Sequence, residues 1–275
     1  MKIVHANGAE IPALGFGTFE IHGSQAEEMT YHALEVGYRH IDTAQAYENE
    51  AEVGQAIERS GVDRADIFLT TKILPQDFGR RDLPVAMERS LDQLGTDYVD
   101  LVLLHWPNPD VPIAETMEAL REVRDEGHAR HIGVSNFTVA LLNEALARSD
   151  VPLATNQVEY HPFLSQAPVL DVVRHSGMAL TAYSPLAKGD VAQTDTLQRI
   201  GESHGKSAAQ VALRWLVQQD DVIAIPKTAS PERCETNFRI FDFELSDAEM
   251  RQIHDLARPD GRYVSPPGLA PEWDT

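Results

Sequence analysis

The chain has 275 residues, 43% of them hydrophobic, and its 43 acidic against 23 basic side chains give a formal net charge of −20. The length suits one α/β barrel, typically ~250 residues, and the acidic surplus argues against nucleic acid or an anionic membrane as partner. Cys234 is the only cysteine, so no intrachain disulfide is possible; with no signal-peptide core and no apolar run of spanning length, a cytoplasmic protein is expected.

The chain opens with a hairpin signal: residues 2–5 and 10–12 flank Asn7-Gly8, a favoured tight-turn pair. A short strand over 13–18 follows, then helical spacing over 25–36 with Gly37 as its stop. The stretch 37–54 runs a strand end, His40-Ile41, into Asp42, a small-residue loop and Tyr47. An acidic helix start at Glu48 and Glu50 comes next, suiting the positive end of a helix dipole. Strands are then predicted over 67–73, 98–104, 131–134, 154–159, 179–183 and 222–225. Between them lie helices over 83–94, 113–126, 138–148, 167–175, 195–204 and 207–218. In the first of these, Val85, Met87, Leu91 and Leu94 supply the apolar residues. Two further helices, over 231–238 and 246–257, precede a Pro- and Gly-rich end over 258–275, expected as extended loop.

Such alternation calls for a parallel sheet with helical crossovers. At this length the best choice is α/β of the closed (β/α)8 type, one domain over 1–275. A doubly wound sheet normally carries a Gly-rich phosphate turn after its first strand, and here that position reads GFGTFEIHG, which is not GxGxxG.

In a parallel barrel the chemistry gathers at the C-terminal ends of the strands. Those positions hold Asp42 and Tyr47, Lys72, His105 and Trp106, Ser135 and Asn136, Gln157, Tyr183 and Ser184, and Lys227 and Thr228. Lys72 lies in a buried strand, and a buried ammonium needs an anion; Asp42 is the candidate, with a purely structural ion pair as the competing reading. Singly, Tyr47 reads as a packed aromatic and His105 as a core histidine. Together the four make a proton-delivery site. A phenol of pKa ~10 sits beside a cation expected to lower it by ~1–3 units, an aspartate fixes the cation, and an imidazole orients a carbonyl. No nucleophile elbow and no HxxE or CxxC metal pattern accompanies them, so the set suits carbonyl reduction with hydride from a bound cofactor. Tyr183 is placed to stack on a nicotinamide ring, with Ser135, Asn136 and Gln157 bonding its carboxamide; taken singly, each reads as well as a strand-end cap. Phe19, Leu74 and Trp106 suggest a compact, half-aromatic pocket left open by a short tail.

The stretches GYRHIDTAQAYENEAEVG, TTKI, LGTDYVDLVLLHWP, IGVSNF, NQVEYHP, AYSPLAKG and IPKTASPERCETNF follow one another in order. Together they make the sequence resemble the aldo-keto reductase superfamily along nearly its whole length. The ending DGRYVSPPGLAPEWD is similar to the bacterial branch that includes 2,5-diketo-D-gluconate and methylglyoxal reductases. The resemblance implies a barrel whose N-terminal hairpin closes the bottom, with two extra helices and NADPH (or NADP+) bound without a Rossmann motif. It implies Tyr47 as general acid, tuned by Lys72 and Asp42, with His105 orienting the carbonyl. Along the cofactor it places Thr18 and Asp42, then Ser135, Asn136 and Gln157 at the carboxamide and Tyr183 under the nicotinamide. Ser184 and Leu186 would follow the pyrophosphate, Lys227, Thr228 and Arg233 the 2′-phosphate, and Asn237 the adenine.

Two departures stand out. Thr236 occupies a position where relatives often carry an acid, and Leu74 replaces an aromatic wall with a smaller aliphatic one. The implied function is NADPH-dependent reduction of small α-dicarbonyls or keto sugars by a monomer. The alternatives are a redox-sensing, NADPH-binding interaction subunit with little turnover, and a barrel hydrolase or isomerase using Asp42 and His105.

Overall fold

A computed structural model describes residues 1–274. Strands β1 (Ile3–Ala6) and β2 (Ala9–Pro12) form the expected antiparallel hairpin. Asn7 (φ 47°) and Gly8 (φ 89°) both take the left-handed backbone that matches a two-residue turn to the strand twist. The Asn7 amide donates to the Leu153 and Ser176 carbonyls (2.8 and 3.1 Å), and the Lys2 ammonium to those of Val217 and Gln219 (3.0 and 2.9 Å). These acceptors lie where later strands begin, so the hairpin closes the bottom of the barrel.

The barrel wall follows in chain order: β3 (Phe16–Gly17), α1 (Ser24–Val36), β4 (His40–Asp42), α2 (Glu50–Ser60), β5 (Phe68–Ile73), α3 (Asp82–Leu94), β6 (Val99–Leu104) and α4 (Ile113–Asp125). It continues through β7 (Ala129–Ser135), α5 (Val139–Arg148), β8 (Leu153–Glu159), α6 (Ala167–His175), β9 (Ala179–Tyr183), α7 (Asp195–His204), α8 (Ala208–Gln218) and β10 (Val222–Ala224). Helices α9 (Pro231–Phe238) and α10 (Asp247–His254) complete it. Strands β3 to β10 pair in parallel, each with its sequence neighbour. The ring is closed by Gly15 N–H to the Ala224 carbonyl (2.9 Å), Ala224 N–H to that of Ala13 (2.9 Å) and Gly17 N–H to that of Pro226 (3.1 Å). The fold is the (β/α)8 barrel read from the alternation.

Parallel strands covered on both faces read as near-continuous apolar runs, and every residue of β5 and β6 is buried. The helices bury one stripe each. In α3 it comprises Leu83, Ala86, Met87, Ser90, Leu91 and Leu94. Val85, expected among the apolar positions of that helix, is instead 55% exposed; at about 100° per residue it stands off the stripe that Leu83 and Met87 share. Ser207 and Ser246 build capping boxes at the starts of α8 and α10, each contributing about 1 kcal/mol. Gly54 lets α2 approach α3, since a Cβ there would stand 2.3 Å from the Leu94 carbonyl oxygen. Among the described residues no helix is long and apolar enough to cross a membrane.

Candidate active site

Neighbouring strands deliver the four residues of the proton-delivery set to one end of the barrel. Asp42 ends β4, Lys72 lies in β5 and His105 follows β6, while Tyr47 closes a single 3₁₀ turn (Gln45–Tyr47) in the loop after β4. Asn49 locks that loop: its amide donates to the Thr18 and Ile21 carbonyls (2.9 and 2.8 Å), and its Oδ1 accepts from Thr43 Oγ1 (2.7 Å). Gln45 ties the loop to the next strand end by accepting from the Leu74 amide at 3.1 Å.

Lys72 is fully buried. Its Nζ donates to Asp42 Oδ1 (2.5 Å), the Thr43 carbonyl (2.8 Å) and Tyr47 Oη (3.2 Å), so the anion expected for a buried ammonium is present. Burial alone would depress the lysine, but the Asp42 carboxylate and the Tyr47 hydroxyl outweigh it and hold its pKa above the ordinary value. Tyr47 departs from expectation. Burial pushes its phenol above the usual range, and the opposing pull of Lys72 does not overcome that. The Asp42 carboxylate, held on the same lysine, adds to the rise. The His105 ring meets Tyr47 edge-on, centroids 5.6 Å apart. Burial, reinforced by the Lys72 charge, pushes His105 down to about 3, so the imidazole is neutral. Its enclosed Nδ1 has no hydrogen-bond partner among the described residues.

The groups expected to face a nicotinamide are chained to one another. Gln157 Nε2 donates to the second Asp42 oxygen at 2.7 Å, Ser135 Oγ to the Gln157 carbonyl at 2.8 Å, and Asn136 Nδ2 to the His105 carbonyl at 3.0 Å. The Tyr183 hydroxyl donates to Asn136 Oδ1 at 2.8 Å. Thr18 is buried, and its amide and hydroxyl both donate to the Asp42 carbonyl (3.0 and 3.1 Å). Asn136 (φ 63°) and Ser184 (φ 48°) hold left-handed backbone, a strained choice for residues other than glycine and one that clusters at functional sites. Leu186 begins the bend that carries the loop through Ala187 and Lys188, both also left-handed.

Beyond the closing seam, Lys227 Nζ leans toward Glu20 at 3.9 Å. Thr228 is buried, its Oγ1 accepting from the Ser230 amide at 3.1 Å. Arg233, third residue of α9, is exposed, and among the described residues it has no acidic partner within 4 Å. Asn237 is buried one turn on. The Thr236 hydroxyl turns back to the Glu232 carbonyl at 2.7 Å.

Around the mouth, Phe19 is 52% exposed and meets Tyr47 edge-on at 5.1 Å, Leu74 is half-buried and Trp106 is buried. The tail corrects the expectation of an open pocket. Among the described residues it forms no helix or strand, yet it returns to the barrel and sets Trp273 edge-on to Trp106, centroids 6.2 Å apart. An aromatic wall is thus supplied from the chain's far end. Residues that carry this, Glu159, Arg262 and Trp273, were missed in the sequence. The signal was the acid in NQVEYHP: a charge in a buried strand needs partners, the rule that found Asp42 for Lys72.

The barrel thus gathers these side chains at its C-terminal mouth. Residues 13–258 match the model of the aldo/keto reductase family, and the chain belongs to that family. It is 44% identical to the morphine 6-dehydrogenase of Pseudomonas putida over 265 residues, 91% of this chain and 89% of that protein. It is 41% identical to a methylglyoxal reductase of Escherichia coli O157:H7 over 267 residues, 96% of this chain and 99% of that protein. A solved structure bearing the name 2,5-diketo-D-gluconic acid reductase B superposes with a TM-score of 0.97 at 55% identity, covering 99% of this chain and 98% of that one.

Proposed function

We propose that the protein is an NADPH-dependent reductase of small aldehydes and ketones, with α-dicarbonyls and keto sugars as the substrate class, acting as a single-domain monomer. The observation that carries this reading is the contact of the Tyr47 hydroxyl with Lys72 Nζ, itself held by Asp42, beside a neutral His105. The mouth suits a nicotinamide dinucleotide: Ser135, Asn136 and Gln157 supply amides and a hydroxyl, and Tyr183 a ring face. Ser184 and Leu186 line the way to Lys227, Thr228 and Arg233, with Asn237 beyond. NADPH, when bound, supplies the hydride.

The protein's own part is to hold and deliver a proton. A substrate oxygen takes hydrogen bonds from the Tyr47 hydroxyl and the His105 ring. As charge develops on that oxygen, Tyr47 transfers its proton, and the phenolate left behind is stabilised by Lys72. Asp42 keeps the ammonium in place, and its second oxygen steadies Gln157. The raised phenol pKa ensures that the proton is present at neutral pH. It also means that transfer depends on charge developing on the substrate rather than on an acidic phenol.

Phe19, Trp106 and Trp273 frame a compact opening, and relatives named for methylglyoxal and 2,5-diketo-D-gluconic acid reduction support small polar carbonyls. In a substrate panel followed by NADPH absorbance, methylglyoxal should give a higher kcat/KM than bulky ketosteroids; the reverse order refutes this reading. The pH profile is a second check. With His105 at about 3, the imidazole stays neutral down to that region, so kcat/KM should show no break near its usual ~6.5. Activity should fall only on the alkaline side, as Tyr47 loses its proton above the ordinary phenol range. A break near ~6.5 that disappears in His105→Gln would show that the protonated imidazole takes part.

A further inference from the structure

Glu159 ends β8 with its side chain fully buried, and the proton-delivery set does not use it. Its Oε1 accepts from His161 Nε2 (3.0 Å) and the Tyr263 amide (2.8 Å), and its Oε2 from the Val264 amide (2.9 Å). Two consecutive amides of the tail thus converge on one carboxylate. Arg262 stands beside the same group, Nη1 3.7 Å from Oε2, and lays its guanidinium over the Trp273 ring, 3.7 Å from the centroid. Trp273 then meets Trp106, the neighbour of His105. Contact is continuous from the carboxylate through Arg262 and Trp273 to the pocket wall.

The rest of the tail fits this path closely. A Cβ on Gly261 would stand 1.8 Å from the Phe163 carbonyl oxygen, so the chain enters the clasp against the loop after β8. Its far end is pinned by the Val139 amide donating to Asp274 Oδ2 at 2.9 Å. Hydrogen bonds to an ionised carboxylate are roughly twice as strong as neutral ones. Lifting the tail would strand a buried charge, so the clasp favours one tail position.

We propose that Glu159 is a positioning residue for the substrate pocket: it fastens residues 262–264 so that Trp273 stands against Trp106, and it sets substrate affinity without touching substrate. This rests on the reductase reading given above, in which Trp106 lines the carbonyl pocket. The competing role is fold stability alone.

Glu159→Gln tests it, because the amide keeps the shape, removes the charge and offers a donor where a tail amide needs an acceptor. KM for methylglyoxal should rise about tenfold or more, the scale of one lost charged hydrogen bond. By contrast, kcat should stay within about threefold and the Kd for NADPH should be unchanged. Trp273→Ala should raise KM similarly, and adding Glu159→Gln to it should raise KM no further, since the carboxylate acts through that ring. Trp215 is buried in the core, so acrylamide quenching of tryptophan fluorescence should increase in Glu159→Gln through the ring at 273. An unchanged KM with lowered Tm, or KM effects that add in the double variant, overturns the proposal. Should Glu159→Gln fail to fold, Arg262→Met, which leaves the carboxylate and its amide bonds in place, must show the same KM rise; an unaltered KM there also overturns it. If the native protein reduces no carbonyl at all, the reductase reading fails separately, while the quenching comparison still reports on the clasp.

Discussion

Tyr47→Phe should lower the kcat for dicarbonyl reduction by about 10²-fold or more, the usual range for a positioned general acid, while the affinity for NADPH stays within error of the native protein. The substitution removes one oxygen and its proton and leaves the ring, so the edge-on packing against Phe19 and His105 persists. Lys72 keeps Asp42 and the Thr43 carbonyl as partners, so the ammonium is not stranded and the barrel should melt at nearly the native temperature. A loss of about 10²-fold corresponds to roughly 2.7 kcal/mol of transition-state stabilisation. Pre-steady-state single turnover with bound NADPH is the decisive measurement, because it isolates the chemical step from product release. Near-native turnover in the variant would remove Tyr47 from the role proposed for it.

Arg233→Ala should weaken NADPH by about 1.5–3 kcal/mol, roughly 10- to 150-fold, the worth of hydrogen bonds to a charged group, and leave NADH nearly untouched. The argument begins with net charge. A chain at −20 repels an anionic dinucleotide, and the extra phosphate of NADPH increases that repulsion. Any preference for NADPH must therefore come from local cations. Lys227 already leans on Glu20, whereas Arg233 has no acidic partner within 4 Å among the described residues and lies in the first turn of α9. That geometry adds a helix N-terminus to the cation. Isothermal titration of both cofactors against both proteins reads the outcome. Equal losses for NADH and NADPH would mean that Arg233 does not select the 2′-phosphate.

The parts of this molecule that could be read in sequence are those governed by local pattern or by a strict rule. Strand and helix alternation gave the barrel, and Asn7-Gly8 gave the hairpin turn. The need of a buried ammonium for an anion paired Lys72 with Asp42 across 30 residues. What could not be read depended on distant closure. The strand expected over 13–18 narrows to Phe16–Gly17, and the residues before it meet the last strand only through an isolated bridge of Leu14 with Ala224. The same rule that found Asp42 applies to Glu159, but its partners are amides 104 and 105 residues downstream, and backbone amides leave no mark in a sequence. The rise in the Tyr47 pKa was equally hidden, since it turns on how much water leaves the phenol.

Asp42 gives one oxygen to the lysine of β5 and the other to the amide of β8, two elements on different sides of the mouth. For an evolving lineage this makes positions 72 and 157 a single heritable unit: a change at either one reorients the carboxylate on which the other depends. The aromatic wall is attached elsewhere, through Glu159 and the tail, and shares no hydrogen bond with that carboxylate. Drift in the last dozen or so described residues can therefore remodel that wall while the chain of Lys72, Asp42 and Gln157 stays fixed. A barrel built this way offers selection one part to vary and one to conserve.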